Sequence, residues 1–65
     1  MIVYLNHQPM TVADGHTLAQ LLADINAQAP FAAAINQTFV PKGRYADTVL
    51  QADDHIDVVQ PVVGG

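Results

Sequence analysis

The sequence contains no cysteine and no glutamate, and only Lys42 and Arg44 among its 65 residues carry a permanent positive side-chain charge. Each absence excludes something. Without cysteine there is no disulfide to staple the chain and no thiolate to serve as nucleophile or metal ligand. Such a chain suits a reducing compartment, and a cytoplasmic location is expected. Six aspartates against two basic residues leave a net charge of -4. That balance lacks the clustered Lys and Arg needed to hold a phosphate backbone, which argues against nucleic acid as a partner. It favours a protein partner with a basic or neutral docking face, and it also keeps a small apolar chain soluble. No run has the length and charge-free character of a membrane span, and Met1 leads directly into a strand-like segment. Neither a span nor a leader is expected.

Chemistry-bearing sets are scarce as well. Gly43 stands alone rather than in a glycine-rich phosphate loop, and no Ser/His/Asp or Cys/His combination is present. His7, His16 and His55 lie in or beside turn-like segments at no ligand spacing, so they read as solvated turn residues rather than a metal site. Asp53-Asp54 reads as a turn, and Asp57 as an outward residue of a strand that a basic partner could attract. Neither catalysis by this chain alone nor a bound metal or cofactor is expected.

What is there is apolar: 51% of the residues are hydrophobic. At this length they form one small domain, near the size at which a single core barely suffices. Ile2-Val3-Tyr4-Leu5 reads as a strand, turned by Asn6-His7-Gln8-Pro9 into a second strand over Met10-Thr11-Val12-Ala13. Asp14-Gly15 is the exit turn. Thr17 with Gln20 three residues later makes a capping box, and Leu18, Leu21, Leu22 and Ile25 fall on one helical stripe. Pro30 stops that helix by about Gln28.

Phe31-Ala32-Ala33-Ala34-Ile35 is alanine-rich but lies between Pro30 and the turn-like Asn36-Gln37, so it reads as a strand. There Asn36 shapes the turn by bonding nearby backbone. Phe39-Val40 is a short strand ended by Pro41. A helical turn around Tyr45-Ala46 follows, with Val49-Leu50 packing inward. His55-Ile56-Asp57-Val58-Val59-Gln60 alternates as a final strand, and Pro61 weakens pairing beyond it. One helix over a mixed sheet of four or five strands, α+β in class, is the stable solution. If the last strand lies beside the first and parallel to it, the arrangement is the β-grasp, or ubiquitin-like, fold. The expected division is a domain over residues 1–60 and an extended, flexible tail over residues 61–65.

That tail ends in Gly64-Gly65, a chance ending of only about half a percent at average glycine usage. Gly65 offers a carboxylate with no side chain beside it, and Gly64 keeps the approach bare. Residues 61–65, if extended, span roughly 16 Å at about 3.3 Å each, enough to enter a buried site while the domain stays outside.

Taken together, the chain resembles the ThiS family of sulfur carriers. The resemblance rests on Thr17-Leu18 with Leu21-Leu22, Ala34-Ile35-Asn36 before Val40-Pro41, and Leu50. It continues through Asp54-His55-Ile56-Asp57-Val58-Val59 to Val63-Gly64-Gly65. Departures are Asp53-Asp54 where Gly-Asp is common, Lys42 where Arg is common after the proline, and Asp57 where Glu is common. The resemblance implies a carrier whose Gly65 carboxylate is adenylated with ATP by a ThiF-type enzyme. A sulfur donor such as a cysteine desulfurase then converts it to a thiocarboxylate, and thiazole synthase draws the sulfur into the thiazole ring of thiamine. Val62, Val63 and Gly64 would be the tail that enters the partner's channel. Val59, Tyr4 and Asp57 are the candidate partner surface, and a monomer is expected when free. Rival destinations are the small subunit of molybdopterin synthase, a ubiquitin-like modifier of lysines, and a plain binding module with an inert tail.

Overall fold

The computed structural model describes residues 1–60. Two tight hairpins flank a central strand. β1 (Ile2–Leu5) and β2 (Gln8–Thr11) pair antiparallel through a loop of only Asn6 and His7, with φ of 48° and 71°. β3 (Ala32–Ile35) and β4 (Thr38–Val40) pair likewise through Asn36 and Gln37, with φ of 50° and 69°. Positive φ at both positions is the two-residue hairpin turn whose twist matches that of the strands, and asparagine is among the residues that tolerate it. β5 (His55–Val59) inserts between the hairpins, parallel to β1 and antiparallel to β3, giving the order β2-β1-β5-β3-β4.

The turn over Asn6 and His7 consumes two residues rather than the four expected. β2 therefore begins at Gln8 and includes Pro9. An edge strand accommodates a proline because its missing N–H leaves no ladder bond broken on the open side. Val12, just past β2, still turns inward and is buried.

The connection between the hairpins is α1 (Leu18–Asp24), whose apolar stripe covers one sheet face. Its start is as anticipated. The Gln20 amide donates to Thr17 Oγ1 at 3.2 Å, and the Thr17 amide donates to Gln20 Oε1 at 2.9 Å. Its end is earlier than Gln28, because Asn26 rather than Pro30 terminates it. Asn26 takes φ 54°, so its N–H reaches Ala23 O at 3.1 Å and the Ala27 N–H reaches Leu22 O at 3.0 Å. This is the Schellman pair of bonds, with asparagine in the place glycine more often occupies.

A 3-10 helix (Lys42–Asp47) contacts α1, and Thr17 and Val49 form an isolated antiparallel bridge. That bridge makes the segment extended, so successive side chains alternate. Leu50 goes in at 1% exposure, while Val49, expected to pack inward with it, stays 47% exposed. The core is Val3, Val12, Leu18, Leu21, Leu22, Ala33, Leu50 and Ile56. One helix over a mixed five-stranded sheet, with first and last strands parallel, is the β-grasp arrangement anticipated. Among the described residues, no helix is long and apolar enough to cross a membrane.

Candidate functional site

Side chains alternate across a strand, so the residues that face α1 fix which ones face away. Val3 and Leu5 of β1, Ala33 and Ile35 of β3, and Ile56 and Val58 of β5 join or pack against the core. Ile2 and Tyr4, Ala32 and Ala34, and His55, Asp57 and Val59 therefore share the opposite face. The registers place them side by side: Tyr4 against His55, Ala34 against Asp57, Ala32 against Val59. Phe39, opposite Ala34 on β4, joins the same face.

No other described element covers this face. Ile2, Phe39 and Val59 keep 47%, 65% and 63% of their surface exposed. The Tyr4 ring stacks on His55 at 4.8 Å between centroids and 17° between planes. Asp57 sits half-buried among these groups. Tyr4, Asp57 and Val59, named separately from sequence, are thus gathered on one surface, which is apolar with a single carboxylate on β5. What such a surface can do is dock. At one end of it His7, Asn36, Gln37, His55 and Asp57 line an open depression of about 350 Å³.

The histidines are not equivalent loop residues. His7 is exposed in the first turn, as expected. His16 Nε2 lies 2.8 Å from Asp24 Oδ2, linking the approach to α1 with its last residue. His55 opens β5 and supports Tyr4. Among the described residues, no three His or Asp side chains gather as a metal site would require.

Asp54 is occupied structurally: it accepts the Gln51 N–H on Oδ2 at 2.8 Å and the Asn36 amide on Oδ1 at 3.0 Å. Asp53 takes φ 68° in that turn, a left-handed angle that aspartate tolerates better than most residues. Asn36 does more than shape its own turn. Its Oδ1 accepts the N–H of His55, 19 positions away, at 3.0 Å. The expected bond to nearby backbone is replaced because the turn projects the amide toward the start of β5.

Residues Val62, Val63, Gly64 and Gly65 lie outside the described residues. The approach to them is defined as far as Gln60. The Val58 N–H donates to Asn6 Oδ1 at 2.9 Å, and Asn6 Nδ2 donates to the Val58 carbonyl at 3.3 Å. Gln60 Nε2 donates to the Gln28 carbonyl at 3.2 Å. Asn6, Ile25, Asn26, Ala27, Gln28, Val58 and Gln60 line an open groove of about 350 Å³ here. Sequence reasoning treated Asn6 only as a turn former. The one signal of more was that both hairpins place asparagine at the first loop position.

Comparison with known proteins follows the same outline. The ThiS family model matches residues 3–65. The sulfur carrier protein ThiS of Escherichia coli (strain K12) is 38% identical over 66 residues, covering 100% of both chains. A thiazole synthase of Magnetococcus marinus is also 38% identical over 66 residues, and this chain spans 20% of its length. Among solved structures, the thiamine biosynthesis protein ThiS of Geobacter metallireducens superposes with a TM-score of 0.84, each chain fully covered. At 19% identity that likeness shows the shared fold.

Proposed function

The chain belongs to the ThiS family, and from this we propose that it is a sulfur carrier of thiamine biosynthesis, a carrier rather than a catalyst. The observation that carries the reading is the full-length 38% identity to a relative named for that role. Gly65 is the group that carries the sulfur. A carboxylate is a poor electrophile, because resonance and hydration stabilise its charge. A ThiF-type enzyme joins it to AMP from ATP, which neutralises the charge and supplies a leaving group. The persulfide of a sulfur donor such as a cysteine desulfurase then displaces AMP to give an acyl disulfide, and a thiol reduces that bond, leaving the thiocarboxylate and a disulfide. ATP is a substrate of that enzyme, and the carrier itself holds no cofactor.

The open sheet face serves as the docking surface. Val59 and Tyr4 supply apolar contact, and Asp57 favours a basic neighbour on the partner. Docking there lets residues 61–65 enter the partner's channel, with Val62 and Val63 as wall contacts and Gly64 passing where a Cβ would not. The consumer of the sulfur is thiazole synthase. In support, the segment of the Magnetococcus protein that matches this whole chain resides in a protein named thiazole synthase. The carrier works in the cytoplasm, as a monomer between encounters.

The test is the intact mass of the protein after incubation with ATP, a ThiF-type enzyme and a sulfur source. Exchange of one oxygen for sulfur at Gly65 is the expected result. An unchanged mass, with the same enzyme converting a control carrier, refutes the proposal.

A further inference from the structure

We propose that Asn6 is a positioning residue for the sulfur-bearing tail, holding the end of β5 in the direction from which the tail enters a partner. This deepens the carrier reading above and rests on it. The argument starts from the ladder between β1 and β5. Tyr4 N–H donates to Asp54 O, and Asn6 N–H donates to Ile56 O, both at 2.8 Å. In a parallel pair the bonds recur every second residue along each strand. The next rung would join the Val58 N–H to the residue 6 carbonyl, and the rung after that the Val58 carbonyl to the residue 8 N–H. Neither forms, because φ of 48° and 71° at Asn6 and His7 turns the backbone away into the hairpin.

The Asn6 side chain supplies both missing partners. Its Oδ1 stands in for the lost carbonyl, and its Nδ2 for the lost N–H, on a residue 52 positions away. Without it, the β1 side of Val58 would be open, and among the described residues the chain past Ile56 would be held by the β3 pairings Ala33–Val58 and Ala32–Val59 and by the Gln60 side chain on the Gln28 carbonyl. Val58 precedes Gly65 by few residues, so the direction of the chain at Val58 decides where the terminal carboxylate can go. Fixing that direction before docking removes an ordering cost from the encounter.

The second hairpin provides a built-in control. Asn36 has nearly the same φ, 50°, and also makes two side-chain bonds, to the His55 N–H and to Asp54. It does so at the opposite end of β5. Asn6→Gly and Asn36→Gly each remove one such amide, and glycine adopts the positive φ freely, so both turns survive.

Two readouts are taken on the wild-type chain and both variants: hydrogen exchange at the Val58 amide, and kcat and KM for thiocarboxylation by a ThiF-type enzyme. Expected for Asn6→Gly is faster Val58 exchange and a KM raised about tenfold with kcat within about twofold, the signature of lost preorganisation. Asn36→Gly is expected to lose stability comparably while its KM stays within about twofold. An Asn6→Gly KM equal to wild type overturns the proposal, as does an equal rise in Asn36→Gly. A wild-type chain refused by an enzyme that converts a control carrier overturns the carrier reading itself, and the role of Asn6 in activation with it.

Discussion

Replacing Val59 with aspartate tests whether the open sheet face is the docking surface. Full burial of a valine side chain contributes roughly 1.5–3 kcal/mol. Val59 keeps 63% of its surface exposed, so folding has used the smaller part, and docking can recover about 1–2 kcal/mol. Val59→Ala forfeits part of this and should raise KM about threefold to fivefold. Val59→Asp forfeits all of it and also places a carboxylate in the contact, where desolvation costs several kcal/mol more. At about 1.4 kcal/mol per decade, kcat/KM for activation should fall a hundredfold or more. Stability should change by no more than about 1 kcal/mol, since an exposed strand position contributes mainly β-propensity.

The assay is thiocarboxylation followed by intact mass over a range of carrier concentrations, with urea unfolding in parallel. Ala46→Asp, at an exposed position in the 3-10 helix, is the control, because it adds the same charge on another part of the molecule. A folded Val59→Asp activated within about threefold of wild type would refute the assignment of this face. An equal loss in Ala46→Asp would show that net charge matters rather than contact at Val59.

The remaining expectations concern the tail and the helix ends. Gly64→Val should abolish adenylation while circular dichroism stays normal, and retained adenylation would remove the narrow-channel argument. Thr17→Ala breaks the capping box and should cost about 1 kcal/mol by urea denaturation. Asn26→Ala forces a Cβ-bearing residue without a helpful amide into φ 54° and should cost about 1 kcal/mol, whereas Asn26→Gly should be neutral or stabilising. If both substitutions at Asn26 destabilise equally, the side chain rather than the backbone angle matters there.

How legible each element was depended on whether its cause is local. The start of α1 was readable because Thr17, Gln20 and the leucine stripe all act within two turns of helix. Its end was misplaced because Pro30 is the louder stop signal, while asparagine at a C-terminal position is common elsewhere and decides little by itself. Val49 was misread for a different reason. Its side is set by a bridge to Thr17, and nothing near Val49 announces that partner. The early start of β2 has a similar origin, since a two-residue and a four-residue turn are both compatible with Asn6-His7-Gln8-Pro9.

The sequence by itself determined the order of elements, the start of the helix with its cap, the first hairpin, the acidic balance and the Gly-Gly ending. It also carried enough ordered motifs to indicate the family. These follow from composition and from rules of period two and 3.6, which act over a few residues. Only the tertiary structure decided that Tyr4, His55, Asp57 and Val59 form one face, and that Asn6 completes the ladder of Val58. Those facts depend on strand pairing and register between segments about fifty positions apart. Register is settled by which faces the core can bury once the strands are assembled, and no local preference states it in advance.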